Sequence, residues 1–295
     1  MKYIIGVDVG ATKIAAGLVY ANQVPKVIKI PTEAHLGKSK IIANIIKAIK
    51  IFDNPKIHAI GVGIAGQINS REGIVMSSPN LPKNFKNVPL VKILKKEFDK
   101  EVSIDNDGHC FALAEAVYGA GKKYENVVGL TFGTGIGGGI IIHKRVYRGA
   151  HGIAGEFAHT TIAENGHPCG CSRRGHLESY ASGKGMVSLY QELTGKTKDT
   201  FYIENKAIEG EAAAKRVISI MSDALGIGLA NIIVSLNPDI IIIGGGLIRV
   251  KALWRPALAM ARSENPFMVS KKTKIVRARL KEKASILGAA LITEK

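Results

Sequence analysis

The chain has 295 residues, 46% of them hydrophobic and 22% charged, which excludes a disordered polyampholyte and supplies core for one large domain or two modest ones. Three cysteines, with Cys169 and Cys171 only one residue apart, exclude a disulfide framework. The formal charge of +17 is spread over runs such as Lys92, Lys95, Lys96 and Lys100 and the basic stretch 271–283. No nucleic-acid motif accompanies them, so they read as solvated surface that can also steer an anionic substrate.

Tyr3 to Val7 is apolar and β-branched, Gly10 to Lys13 is a turn, and Ile14 to Tyr20 is apolar again, so the chain opens on a hairpin. The opening apolar run is cut by Gly6 and Asp8, too short for a signal peptide or a span, and no later run approaches the ~18 residues a span needs. A cytoplasmic chain without a membrane partner is expected. Ser39 is the expected N-cap of a helix with Ile41, Ile42, Ile45, Ile46 and Ile49 on one face. A strand at Ala59 to Ile64, a helix at Leu90 to Phe98, a strand at Val102 to Ile104 and a helix through Phe111 to Ala114 follow. Val127 to Phe132, a glycine turn at Gly133 to Gly139 and Ile140 to Ile142 then repeat the opening plan. Glu211 to Leu236 reads as a long helix stopped by Asn237 and Pro238, Ile240 to Ile243 as a buried strand, Gly244 to Gly246 as a tight turn, and Ala284 to Ile292 as a closing helix. Two similar α/β halves around a cleft are expected.

The first turn places Asp8, Gly10, Thr12 and Lys13 together: backbone amides that can hold phosphate oxygens, and a carboxylate that can hold Mg²⁺. Walker spacing is absent and a strand follows, so the alternative is an ordinary hairpin turn. The second turn, Gly133, Thr134 and Gly135 onward, contains G-x-G-x-x-G, but the strand after it excludes a dinucleotide fold, which needs a helix N-terminus there. His159, Cys169, Cys171 and His176 offer four borderline-soft ligands for a tetrahedral Zn²⁺, with His167 as a rival.

Two matched turns and the third at Gly244, Gly245 and Gly246 suit the actin-like ATPase and sugar-kinase architecture. Beyond them, 8–13 (Asp-Val-Gly-Ala-Thr-Lys), 78–82 (Ser-Pro-Asn-Leu-Pro), Asn106-Asp107, 155–159 (Gly-Glu-Phe-Ala-His) and Cys169 to Glu178 follow one another as in the ROK family (repressors, uncharacterised reading frames and kinases), which the chain resembles over nearly its whole length. The resemblance implies a two-lobed α/β fold of ribonuclease-H-like, actin-like ATPase type, with central mixed sheets and an interlobe cleft. Its small lobe would span 1–107, completed by 284–295, and its large lobe 108–283. It implies ATP-dependent phosphorylation of a hexose, glucose or a broad acceptor at its 6-hydroxyl, with Asp107 as general base. Asn80, Asn106, Asp107, Glu156, His159 and Glu178 would bind the sugar. MgATP would sit between the lobes, with Asp8 near the Mg²⁺, Thr12, Thr134 and the glycine amides on phosphate, and adenosine near Gly244 to Gly246. A homodimer is implied as well.

Taken singly, Asn80 is also a turn residue after Pro79, and Asn106 and Asp107 are also a helix cap. The family pattern is C-x-C-x4-C, so His176 stands where a third cysteine is expected. Ala11 and Ala158 replace common glycines, and Ser172 and Arg173 replace Gly and Asn; these changes bear on sugar selectivity. A kinase of another sugar, such as N-acetylmannosamine or fructose, is one alternative; a sugar-sensing repressor is the other, but it needs a DNA-binding domain ahead of the first strand, which here begins at Tyr3.

Overall fold

The structure, a computed structural model, describes residues 2–268 and 272–294. Residue 271 of the basic stretch and residue 295 of the expected closing segment lie outside the described residues. In chain order the elements are β1 (Tyr3–Val9), β2 (Lys13–Val19), β3 (Val27–Pro31), α1 (Lys38–Lys50), β4 (Ile57–Ile64), β5 (Gln67–Asn69), β6 (Ile74–Ser77), α2 (Leu90–Phe98), β7 (Glu101–Asn106) and α3 (Asp107–Val117). There follow β8 (Asn126–Phe132), β9 (Ile136–Ile142), β10 (Arg145–Tyr147), α4 (Glu178–Ala181), α5 (Gly183–Thr194), α6 (Thr200–Glu209), α7 (Ala212–Leu236), β11 (Ile240–Gly244), α8 (Lys251–Ser263), β12 (Lys274–Arg277) and α9 (Ala284–Leu291).

These elements form two compact units. One comprises Met1–Gly129, Gly139–Gly155 and Ala278–Lys295; the other comprises Leu130–Gly138 and Glu156–Arg277. The lobes expected at 1–107 and 108–283 are drawn differently: α3, most of the strand after it and 139–155 belong with the first unit. The physical reason for α3 is its packing on α9, where its Phe111 and Ala114 share a buried cluster with Ala284, Ile286, Leu287 and Ala290.

In the first unit the sheet order is β3-β2-β1-β4-β7, antiparallel from β3 to β1 and parallel from β1 to β7. Its inner strands are buried on both faces, which is why Tyr3 to Val7 and Ala59 to Ile64 read as apolar runs and not as alternations. Ile5, Val7 and Val9 face α1 and α2, joining Ile41, Ile45, Leu90 and Leu94 in one core. Ile4 and Ala59 face α3 and α9 in the other. On that second face α9 lies close: a Cβ added at Gly61 would stand 1.6 Å from the Ala289 carbonyl oxygen, so only a residue without a side chain fits there.

β5 and β6 pair in a small sheet of two strands, and the other five-stranded sheet has the order β10-β9-β8-β11-β12, with β9–β10 antiparallel and β11–β12 parallel. Its order repeats that of the first sheet: three consecutive strands laid out in reverse, then two later ones. The repeat of strand, glycine turn and strand thus marks a duplicated topology.

Some boundaries differ from expectation. α1 begins at Lys38 with Gly37 (φ 87°) at its N-cap, whose carbonyl accepts from Ile41 N at 3.2 Å, so Ser39 sits inside the first turn. The second glycine turn closes by 135, because Gly137, Gly138 and Gly139 belong to β9; a Cβ on Gly139 would stand 2.9 Å from Ala112 Cβ and 3.0 Å from the Gly108 carbonyl oxygen. The helices over 178–209 were not expected. α7 is long and apolar enough by length and composition to cross a membrane, contrary to the reading that no run approaches that length. However, 67% of its apolar window is buried, and it packs on α5, α6 and α8.

Candidate active site

The β7–α3 junction is built by a cap. Asn106 leaves β7 in extended conformation, and its side-chain oxygen accepts from Gly108 N at 2.7 Å and His109 N at 3.3 Å, satisfying the first amides of α3. Its Nδ2 donates to the Gly66 carbonyl at 2.9 Å. The capping role that the sequence allowed is therefore present, with one amide N–H of Asn106 not used by these bonds.

Asp107 follows as the first residue of α3, its Oδ1 accepting from Gly108 N at 3.0 Å. Burial raises its pKa above the usual carboxylate value, opposed by the Gly108 amide, its own backbone amide and the charge of His109. Asp8, on β1, is pushed up to about 7 by burial and then by the charge of Asp107, with Lys13 opposing. The Asp107 charge thus adds to the burial of Asp8, and a cation held beside Asp8 would relieve both.

The first glycine turn is a tight reversal: Gly10 N donates to the Lys13 carbonyl at 3.0 Å, while Thr32 donates from Oγ1 to the Gly10 carbonyl at 2.7 Å and from N to the Thr12 carbonyl at 3.0 Å. Thr12 and Lys13 are exposed beyond it. Asn80 is exposed in the turn following β6, where Leu81 N donates to the Ser78 carbonyl at 3.3 Å. Asp8, Gly10, Thr12, Lys13, Asn80, Asn106 and Asp107 thus all belong to the first unit.

The second unit holds the remaining residues. Gly133 N donates to the Gly135 carbonyl at 2.9 Å, and the turn is seated on α5, whose Gly183 N and Lys184 N donate to the Gly133 and Thr134 carbonyls at 2.8 and 3.1 Å. Glu178 opens α4, and its Oε2 accepts from Ile136 N at 2.9 Å. A Cβ on Gly135 would reach 2.5 Å from that same oxygen, so the glycine makes room for the carboxylate.

After β11, Gly245 takes φ 90°, which favours glycine, and a Cβ there would meet the Phe132 carbonyl oxygen at 2.2 Å. Beside it lies a pocket of about 630 Å³ whose lining includes Thr134, Lys184, Gln191, Phe201, Gly246 and Arg249. Arg249 is fixed in this wall. It donates to the Gly246 carbonyl at 3.0 Å and Thr200 Oγ1 at 2.9 Å, its Nε stands 3.0 Å from Glu204, and its guanidinium lies 3.9 Å over the Phe201 ring. The sequence reading found only Gly133, Thr134 and Gly246 of this pocket, because the other walls come from α5, α6 and the segment after Gly246.

Glu156 is half-buried just before the short helical turn Phe157–His159. The potential ligand atoms of His159, Cys169, Cys171 and His176 all lie within 4.8 Å of one another. His159 Nδ1 is 3.9 Å from Cys169 Sγ, and His176 Nδ1 is 3.2 Å from Cys171 Sγ. A tetrahedral Zn²⁺ with bonds of about 2.0–2.3 Å needs ligand atoms roughly 3.5 Å apart, so this donor set fits it with small adjustments. Burial lowers the His176 pKa, with the His159 and Arg173 charges in the same direction, favouring the neutral imidazole that a metal requires; burial raises that of Cys169. His167 points elsewhere, its Nδ1 3.1 Å from Glu192 Oε2 and its ring against Tyr180.

A family model described as ROK family matches residues 4–295. The chain is 34% identical to a glucokinase of Thermotoga maritima, over 99% of this chain and 97% of that protein. It is also 32% identical to a xylose repressor of Caldicellulosiruptor bescii, over 97% of this chain and 76% of that protein. Among solved structures, a ROK hexokinase from Thermus thermophilus matches with a TM-score of 0.88 at 30% identity, covering 98% of this chain and 97% of that one. Its fold is the actin-like ATPase type expected from the three turns.

Proposed function

From a chain that belongs to the ROK family, we propose an ATP-dependent sugar kinase acting on a hexose, with glucose or a broad hexose set as acceptor and the 6-hydroxyl as the attacking group. The observation that carries this reading is the β7–α3 junction. There a capped helix start presents Asp107 with its pKa raised by burial, the environment a general base for a sugar hydroxyl requires. Asp107 accepts the hydroxyl proton as the oxygen attacks the γ-phosphoryl group and the bond from γ-phosphorus to the bridging oxygen breaks, releasing ADP; the protein otherwise positions donor and acceptor and neutralises charge.

Sugar hydroxyls are assigned to Asn80, Asn106, Glu156, His159 and Glu178, whose paired donors and acceptors read hydroxyls at fixed geometry. The first and second glycine turns, with Thr12, Lys13 and Thr134, are assigned to phosphate, and the pocket beside Gly246 to adenosine. Mg²⁺ would be held near Asp8, where it supplies charge neutralisation to the phosphates. Zn²⁺ would be held by His159, Cys169, Cys171 and His176 as a structural ion, since four protein ligands leave no open position. With its Nδ1 towards the metal, His159 keeps Nε2 for a sugar hydroxyl. The assembly is assigned as a homodimer.

The test is a coupled assay of ATP consumption across a dozen sugars, N-acetylated ones included, with wild type and Asp107→Asn. We expect glucose among the best acceptors and a turnover loss of about 10² to 10⁴ in the variant with sugar binding kept. Retention of more than a third of turnover would remove Asp107 from the role. The similarity to a repressor favours a second reading as a sugar-responsive regulator. Sequence-specific DNA binding released by sugar, with no kinase activity, would establish that reading instead.

A further inference from the structure

Beside the proposed base lies a buried charge cluster that the reaction as described leaves without a role. Asp105 and His109 are 1% and 2% exposed. Asp105 Oδ1 accepts from Asn106 N at 2.8 Å and stands 2.8 Å from His109 Nδ1, while its Oδ2 accepts from Arg148 Nε at 2.8 Å and pairs with Arg148 at 2.6 Å. His109 Nε2 lies 2.9 Å from the Ala154 carbonyl oxygen.

The protonation pattern follows from these partners. A carbonyl only accepts, so Nε2 carries a proton. A carboxylate paired with a guanidinium only accepts, so Nδ1 carries one too, and His109 is an imidazolium donating from both nitrogens. The titration directions agree. Burial alone would raise Asp105, but His109 and Arg148 hold it below its usual value. Burial alone would lower His109, but Asp105 and the Ala154 carbonyl raise it despite Arg148. One buried anion is thus shared by two cations, every bond satisfied, a geometry that is rigid when complete and costly when a member is removed.

Topology gives the cluster its meaning. Asp105 is the penultimate residue of β7, His109 sits in the first turn of α3, and between them stand Asn106, Asp107 and Gly108. Arg148 and Ala154 bracket a loop closed on itself by the Ala154 N bond to the Arg148 carbonyl at 3.2 Å. The chain runs from that loop through Gly155 directly into Glu156. The geometry points to Asp105, His109 and Arg148 as positioning residues: a clasp that ties the 148–154 loop, and so the chain entering Glu156, to the junction that presents Asp107. This rests on the sugar-kinase reading for its consequence in catalysis, whereas the tie itself is independent of it.

Three variants test the clasp. His109→Gln has only one donor nitrogen and no charge, so it cannot bridge Asp105 and Ala154 together. Arg148→Met, at a partly exposed side chain, keeps bulk without the ion pair, and Arg148→Lys restores the charge. By hydrogen exchange in the free protein we expect the 148–155 amides to exchange about tenfold faster in His109→Gln and Arg148→Met, with the cores of both units unchanged. In kinetics we expect the Michaelis constant for the sugar to rise about tenfold or more while that for ATP stays within about threefold, with Arg148→Lys recovering most of the loss.

Unchanged exchange at 148–155 in Arg148→Met would overturn the tie, even if His109→Gln fails to fold. Faster exchange with sugar and ATP constants shifted equally, or no recovery in Arg148→Lys, would overturn the positioning role. Faster exchange in a protein that phosphorylates no sugar would leave the tie standing and remove the kinase reading.

Discussion

Asp8 shows how one side chain links stability to function. Its carboxyl is pushed up to about 7, so the folded chain holds a proton there that the unfolded chain releases near pH 4. Because the native state binds the extra proton, the contribution of this group to stability is full below the unfolded value and falls as pH rises through the folded one. In magnesium-free buffer Asp8→Asn should therefore gain stability over wild type between pH 5 and pH 8, by up to about 3 kcal/mol. Denaturant unfolding at the two pH values measures it, and a gap that shrinks with pH would show that the carboxyl is not held protonated. The same variant should lose use of MgATP while keeping sugar affinity. Collapse of sugar affinity with nucleotide binding intact would mean that the glycine turns are assigned the wrong way round.

Among the elements, the α4 start and the turn before β9 behave as one piece, since Glu178 accepts from Ile136 N over the bare face of Gly135. Gly135→Ala meets only the end of a flexible side chain, so the carboxylate moves and the fold stays. The expected result is a Michaelis constant for the sugar raised about tenfold with a melting temperature near wild type. Equal constants for variant and wild type would separate Glu178 from the sugar. The segment from His159 to His176 is pinned in another way, by the four clustered ligands. Elemental analysis should find close to one zinc per chain in wild type and His167→Ala and little in His176→Ala, because His167 is engaged by Glu192. Zinc lost in His167→Ala and kept in His176→Ala would invert the assignment. Chelation should lower thermal stability and raise the sugar constant together.

Across the molecule as a whole, the chain's last helix completes a unit begun by its first strand. α9 packs on β1, β4 and α3, with Gly61 under Ala289 and Gly288 against the Cys110 carbonyl oxygen. Backbone lies against backbone at both points, so a methyl group has nowhere to go and the helix must shift. Gly61→Ala should cost about 3 kcal/mol or more, at the upper end of overpacking penalties, and lower the denaturation midpoint without changing metal content. A loss under about 0.5 kcal/mol would show that α9 docks loosely.

The local grammar of this protein is written in its residue order. Two strand–turn–strand units, the buried strand before Gly244, the long apolar helix and the ordered motif residues from Asp8 to Glu178 were legible, because fully buried strands demand unbroken apolar runs and tight turns demand glycine. Residue order did not settle the glycine run after 135, where absent side chains read as a turn but serve a strand crossing α3 closely. Nor did it show that Asn106 caps a helix while also holding Gly66, or that His176 joins the cysteines while His167 turns to Glu192. Arg148 is separated from Asp105 by 43 positions and Ala154 from His109 by 45, so no periodicity could announce their pairing. Those choices belong to the folded chain: burial sets which polar groups must find partners, and only folding brings those partners within reach.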